Sequence, residues 1–317
     1  MKYALIALVM LVVLLLCALL LIMEYFFRFA VVRKKAPKKP KKSMSESKGL
    51  MSLVPFKEQM RIGEEWLNAQ KYEEVFIASH DGLKLCGRFM NNGAKRTLIL
   101  FHGYRSRAFR DFSCVGEYYK GLGFNLLFVD QRAHGKSEGK YITFGVKERL
   151  DCVKWAEYVD ERVGGEIFLD GISMGASTVL MASGEKLPES VKGIIADCGF
   201  TSPGEIMLKV MEVDLKVKCR PLFHLIAQVV RLRAGFGIYE CSTIDALKKN
   251  RLPVLFIHGT EDKFVPCDMT RRAYEACTAE KMLVLVEGAG HGASYLEDEA
   301  RCKAALSSFL SKYSREA

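Results

Sequence analysis

A serine, an aspartate and a histidine stand in this chain where each could serve the other two. Ser173 lies in Gly171-Ile172-Ser173-Met174-Gly175, after the apolar run 167–170 and before a helix expected over 176–186. Glycines on both sides of a serine allow a strand-to-helix turn too tight for side chains, and the hydroxyl is left standing above the strand end. A serine hydroxyl is a weak nucleophile at neutral pH. It needs an imidazole to take its proton, and the imidazole needs a carboxylate to fix its tautomer and stabilise its cation. His291 offers the imidazole within Gly288-Ala289-Gly290-His291-Gly292, and Asp262 the carboxylate within Thr260-Glu261-Asp262, ahead of Val265-Pro266.

Other residues compete for these roles. Glu261 adjoins Asp262, and Asp197 follows the apolar run 191–195, so both remain alternative acids. Asp170 precedes the serine turn and suits local backbone hydrogen bonds. Among the six histidines, His80 and His224 lack a strand-end setting, while His102, His134 and His258 belong to other recognisable segments. Attack on a carbonyl also develops an oxyanion, and each backbone N–H aimed at it is worth about 3–4 kcal/mol. Met174 N–H, directly after the serine, is the first expected donor. The second is expected from the loop His102-Gly103-Tyr104, with Tyr104 ahead of Gly103 and His102 in a turn-stabilising role.

The elements that must hold these residues follow from the apolar runs. Segments 74–79, 84–90, 97–102, 124–130, 166–170, 191–197, 253–258 and 281–286 have strand length and are flanked by breakers. Between the later ones lie helical stretches such as 148–163, whose Leu150, Val153, Trp155 and Val159 fall roughly on one face. Strand alternating with helix predicts parallel pairing. Asp81-Gly82 marks a hairpin turn, so the first two strands are expected to be antiparallel. Serine, acid and base all follow strand ends, where an open parallel sheet gathers its functional loops. One catalytic domain accounts for residues 51–317, with no internal repeat.

With these motifs in place, the chain resembles the α/β-hydrolase superfamily, and within it the bacterial group near the serine aminopeptidase and prolyl-oligopeptidase-like hydrolases. The resemblance rests on His102-Gly103, the run from Asp130-Gln131-Arg132 to Ser137, the Ser173 pentapeptide, His258-Gly259-x-x-Asp262 and Gly290-His291, and it spans about residues 60 to 313. Relatives more often carry Gly where this chain has Ala133. The resemblance implies an eight-stranded, mostly parallel sheet with helices on both faces. It implies no substrate, because the scaffold serves many chemistries. Ser173, in place of an aspartate at the elbow, argues against epoxide hydrolase or dehalogenase chemistry.

The segment at about 200–251 is too long for a simple connection. Its apolar positions, among them Met207, Met211, Leu222, Phe223, Ile226 and Val230, alternate with Lys209, Lys216, Arg220, Arg231 and Arg233. Two readings stay open: a small helical cap forming an apolar acyl-binding wall with a basic rim, or an insertion whose apolar face packs on the sheet.

Residues 4–23 carry no charge, enough for a helix to span a bilayer core of about 30 Å. The run exceeds a usual signal-peptide core and no clear cleavage site follows, so 1–27 reads as a retained transmembrane anchor. Residues 1–42 hold nine basic groups against Glu24 alone, leaving +2 of the total +10 for the rest. Eight of the nine follow the span, which predicts a cytoplasmic catalytic domain. The cluster serves as a topology signal or as added attraction to anionic lipid. Basicity confined to a juxtamembrane tail speaks against nucleic-acid binding. Residues 28–50, rich in Lys, Pro and Ser, read as a basic flexible tether. Nine cysteines outside the span show no CxxC or paired spacing, which suits a reducing compartment. No metal or cofactor is expected. The expected function is serine hydrolysis, through an acyl-enzyme, of carboxylic ester or thioester bonds of an apolar, small-molecule or lipid-like acyl substrate, with an aminopeptidase-like peptidase or a silent membrane-tethered binding module as alternatives.

Overall fold

The computed structural model describes residues 1–34 and 52–315. The strands are β1 (Glu73–Ala78), β2 (Lys84–Met90), β3 (Arg96–Phe101), β4 (Asn125–Asp130), β5 (Glu166–Ile172), β6 (Val191–Asp197), β7 (Val254–Gly259) and β8 (Lys281–Val286). They form one eight-stranded sheet in the order β1-β2-β4-β3-β5-β6-β7-β8. All eight lie within two residues of their expected bounds. β1 pairs antiparallel with β2 across the Asp81-Gly82 turn, where Gly82 holds φ +85°. β2 is also antiparallel to β4, and every other pairing is parallel.

The central strands are apolar on both faces, as a sheet covered on both sides requires. Ile99, Leu127, Leu169 and Phe256 point into one layer, and Leu100, Phe128, Phe168 and Leu255 into the other. The helices are α1 (Lys2–Ala30), α2 (Lys57–Ala69), α3 (Ala108–Asp111), α4 (Gly116–Gly121), α5 (Glu148–Arg162), α6 (Met174–Ala182), α7 (Pro203–Lys209), α8 (Arg220–Ala234), α9 (Thr243–Leu247), α10 (Cys267–Ala276), α11 (Ser294–Glu297) and α12 (Glu299–Tyr313). α5, α6, α9 and α10 contribute Trp155, Val179, Leu247 and Ala273 to the first layer. α2, α4 and α12 contribute Leu67, Tyr119 and Phe309 to the second. α6 stops four residues short of its expected end, because Gly184 turns the chain against Ala246 of α9, with room for no bulk between them.

The segment after β6 is helical, as the cap reading requires. Ser202 caps α7 by accepting Glu205 N–H, and Pro203 occupies its first turn, where a missing N–H costs nothing. A π-turn, Val210–Asp214, leads on to α8, which ends at Gly235 in the left-handed conformation. Apolar residues of α7 and α8 (Ile206, Met207, Phe223, Ile226, Val230) form a third cluster with Met174, Phe144 and Met181. The cap therefore packs over the serine turn and not simply along the sheet.

α1 is apolar and its first twenty residues are largely exposed, so it is long and apolar enough to cross a membrane. It runs to Ala30, beyond the expected anchor end at residue 27, and Val32 pairs with Tyr141. Val31, Val32 and Arg33 of the expected tether thus contact the domain; its part 35–50 lies outside the described residues.

Candidate active site

Ser173 follows β5 and caps α6 with φ 58° and ψ −116°, a conformation a residue with a Cβ adopts only under constraint. The constraint is visible in its neighbours. Ser173 N–H donates to Asp197 O at the end of β6, and its carbonyl accepts Ser177 N–H. A Cβ on Gly171 would come within 2.3 Å of Gly175 C, and one on Gly175 within 1.9 Å of Phe101 O. Both glycines are required by close backbone approach, which is the physical content of the pentapeptide.

His291 reaches the serine from the loop after β8. Its Nε2 lies 2.9 Å from Ser173 Oγ and its Nδ1 2.7 Å from Asp262 Oδ2. Asp262, in the loop after β7, uses Oδ1 to accept Phe264 N–H and Val265 N–H, both at 2.8 Å. The spacing from Asp262 to Val265-Pro266 noticed in the sequence is therefore this turn. Burial works against ionising Asp262, but the His291 and His258 rings prevail and hold its carboxyl well below the ordinary carboxylate range. The Phe264 ring meets His291 edge to face, with centroids 5.0 Å apart. Serine and histidine are 8% and 7% exposed, so the three groups interact largely out of water.

His258 was legible only as part of a motif. Its Nε2 lies 3.1 Å from the Asp262 oxygen that also faces His291, and its Nδ1 2.7 Å from Thr270 Oγ1. One carboxylate thus serves two rings. The spacing His258 to Asp262 across a strand end carried this signal. Among the described residues the Glu261 side chain forms no hydrogen bond or ion pair with either ring; its N–H donates to Ala289 O.

The loop after β3 is fixed in detail. Gly103 N–H donates to Asp111 Oδ2 at 2.8 Å, and Arg105 N–H to His134 Nε2 at 3.0 Å. Gly103 is therefore committed, which leaves Tyr104 N–H as the loop's candidate donor toward the serine. Among the described residues, no acceptor is found for the N–H of Tyr104 or Met174. Met174 stands at the start of α6, where the helix dipole also favours negative charge. His102 sits fully buried, its Nδ1 2.7 Å from Gly103 O and its Nε2 accepting Gln131 N–H, which is the turn-stabilising place expected of it. Arg132 is buried too. Its guanidinium bonds Asp151 at 2.6 Å and Asp81 at 3.0 Å, filling the space among His80, Asp81 and Asp151 with a protein cation.

On the opposite face of the sheet lie two carboxyls beside a cavity of about 40 Å³. Asp170 accepts the Tyr119 hydroxyl at 2.6 Å, in addition to the local backbone hydrogen bond from Gly171 that was expected of it. Asp197 accepts the Ser294 hydroxyl at 3.0 Å. Burial pushes Asp170 up to about 7 against the Tyr119 hydrogen bond. Burial likewise pushes Asp197 up to about 6, with His258 pulling the other way. Among the described residues, Asp197 accepts no hydrogen bond from His291; its carboxyl is held by Ser294 instead.

These raised carboxyls make a prediction. Between their ordinary value near 3.8 and their folded values, the folded chain holds protons that the unfolded chain has released. Stability then falls as pH rises through this window. Asp170→Asn is expected to reduce the fall. Thermal melts at pH 5 and pH 8 measure it, and equal drops in wild type and variant would remove Asp170 from the account.

Sheet order, serine turn and cap make this an α/β-hydrolase fold. Residues 92–234 match the family described as serine aminopeptidase, S33, and residues 240–317 the family described as TAP-like protein. The Bacillus subtilis (strain 168) protein YqkD, itself uncharacterised, is 29% identical over 216 residues, covering 68% of this chain and 70% of that one. YfhR of Escherichia coli (strain K12), also uncharacterised, is 22% identical over 69% of this chain and 73% of its own length. Among solved structures, the Pyrococcus furiosus esterase Pf2001 superposes with TM-score 0.61 at 24% identity, covering 77% of this chain and 92% of that one. Est1E of Butyrivibrio proteoclasticus, solved with ferulic acid bound, gives TM-score 0.58 at 20% identity over 75% and 98%. The chain thus has the α/β-hydrolase fold and is similar to these two hydrolase families over residues 92–234 and 240–317.

Proposed function

We propose that the protein is a serine hydrolase that cleaves carboxylic ester or thioester bonds of an apolar acyl substrate. The observation that carries this reading is the unbroken hydrogen-bond chain from Ser173 Oγ through His291 to Asp262, seated under an apolar cap. His291 takes the Ser173 proton as Oγ attacks the carbonyl carbon. The N–H groups of Met174 and Tyr104 hold the oxyanion. His291 then protonates the leaving alcohol or thiol, and the acyl group remains on Ser173. Water, deprotonated by His291, attacks the acyl-enzyme, and the acid departs as Ser173 regains its proton. Asp262 keeps Nδ1 protonated throughout.

The cluster between cap and serine turn supports an acyl substrate, because Met207 and Met211 of the cap meet Met174 and Met181 of α6 and Met269 of α10 in one apolar cluster, and flexible thioether chains accommodate varied apolar shapes. The apolar length of α1 supports a membrane anchor, and the basic residues after it support a cytoplasmic catalytic domain. A peptidase is the second reading, favoured by the aminopeptidase family match over 92–234.

The deciding experiment uses the full-length protein in detergent. Fluorophosphonate labelling is expected in wild type and absent in His291→Ala. p-Nitrophenyl esters from acetate to laurate are expected to be hydrolysed far faster than aminoacyl p-nitroanilides. A preference for the anilides would replace this reading with the peptidase, and a folded wild type inert to all three probes would end both.

A further inference from the structure

α1 does more than lead out of the domain. Its last two turns are built into the catalytic half of the molecule. Phe27 and Val31 are fully buried, in the cluster that contains Met174, Phe144 and the cap residues Phe223, Ile226 and Val230. Arg233 of α8 pairs with Glu24 and lies 4.3 Å over the Phe27 ring. Beyond the helix, Ile142 N–H donates to Val31 O at 2.8 Å and Arg33 N–H to Lys140 O at 2.9 Å, while the Arg33 guanidinium reaches Gly135 O and Ser137 O at 2.6 Å.

The ending of the helix matters most. The last four carbonyls of an α-helix lack intrahelical partners and are usually left to water or to a capping group. Here the loop that carries the candidate oxyanion donor takes two of them. Tyr104 Oη donates to Ala30 O at 2.7 Å, and Arg105 Nη2 donates to Phe29 O at 2.6 Å and to Val32 O at 3.1 Å. The Tyr104 ring is stacked on Phe144 with centroids 5.2 Å apart, and Arg105 is held at φ 55°. A cation at a helix C-terminus also meets the negative end of the dipole. Two consecutive loop residues thus hang from the end of the membrane-type helix, and the N–H expected to face the oxyanion belongs to the first of them.

We infer that Tyr104 and Arg105 are positioning residues through which the end of α1 fixes the oxyanion loop, so that α1 stays in the working protein as part of its catalytic domain. This rests on the serine-hydrolase reading for its kinetic consequence, but not for the docking itself. A leader removed after export would leave Tyr104 and Arg105 without their acceptors and Phe223, Ile226 and Val230 without their cover.

Two measurements on the full chain test it. In the first, a specific protease site is inserted between residues 42 and 43 and cut in mild detergent. The N-terminal fragment is expected to co-elute with the domain, and its separation from a folded domain would overturn the docking. In the second, Tyr104→Phe with Arg105→Gln is expected to lower kcat for a short ester about 10- to 100-fold, as two or three lost hydrogen bonds suggest, while KM changes less than about threefold. The backbone N–H groups survive both substitutions. A melting point lowered with kcat unchanged would assign these side chains to structure alone and overturn the positioning role. Should the double variant not fold, Tyr104→Phe by itself, expected to lose about 3- to 10-fold in kcat, stands in for it. Co-elution reads the docking whether or not the protein is a hydrolase, and fluorophosphonate labelling of uncut wild type reads the hydrolase independently, so the two ideas fail separately.

Discussion

Ser173→Ala is expected to reduce ester turnover by roughly 10⁴- to 10⁶-fold, the scale on which an acyl-transfer triad depends on its nucleophile. The geometry sets this apart from an ordinary buried-serine deletion. Oγ is the atom that meets His291 Nε2 at 2.9 Å, and its backbone is held in a strained conformation at φ 58°. Strain of this kind costs on the order of 1–3 kcal/mol, and a glycine at the position relieves it. Ser173→Gly is therefore expected to be as inactive as the alanine variant but about 1 kcal/mol more stable than it, after allowing for the larger unfolded-state entropy of glycine. Urea unfolding beside ester turnover gives both numbers. If Ser173→Ala retained more than about a tenth of wild-type turnover, the nucleophile would have to be sought elsewhere.

Asp262→Asn is the second large effect, and it separates orientation from charge. An asparagine keeps the shape and can still accept Phe264 and Val265 N–H through its oxygen, as Oδ1 does now. Its amide then faces His291 Nδ1 with a donor. The ring must answer with an unprotonated Nδ1, placing its proton on Nε2, where it faces Ser173 and can no longer act as base. A loss of about 10⁴-fold in kcat is expected from the wrong tautomer alone. The same amide also meets His258 Nε2, now 3.1 Å from that atom, which binds His258 to the outcome. Glu261→Gln and Asp197→Asn serve as comparisons. Neither carboxylate bonds His291, and each is expected to stay within about tenfold of wild type in kcat, so a collapse in Asp197→Asn matched by an intact Asp262→Asn would reassign the acid.

The strands and the serine turn were legible because their causes are local. An apolar run of strand length flanked by breakers reports burial on both faces, and Gly171 and Gly175 report backbone contacts that tolerate no Cβ. The placement of β4 between β2 and β3 was not legible, since strand order depends on which edges meet in space and every central strand carries the same pattern. The sequence offered Tyr104 and Gly103 as alternative donors. A side chain eight residues on, Asp111, decides between them by occupying Gly103 N–H, and no spacing rule announces such a bond. The docking of α1 escaped for a similar reason. Phe27, Val31 and Arg33 read as the end of an anchor and the start of a tether, because a helix end and a cap 200 residues apart share no period in the sequence.

The order in which the site's parts leave the ribosome has a consequence for when the protein becomes reactive. The loop that holds Tyr104 follows β3, the serine follows β5, the acid follows β7, and the base follows β8, the last strand of the sheet. β8 pairs only with β7, and both leave the ribosome after every other strand. A nascent chain with α1 already engaged and β1 to β6 formed would possess the nucleophile but neither of the groups that activate it. On the serine-hydrolase reading, reactivity arrives only with the loop after β8, and a chain cut before His291 is expected to be inert instead of indiscriminate. On that reading, the carboxyl-terminal quarter of the polypeptide is the arming segment of its own synthesis.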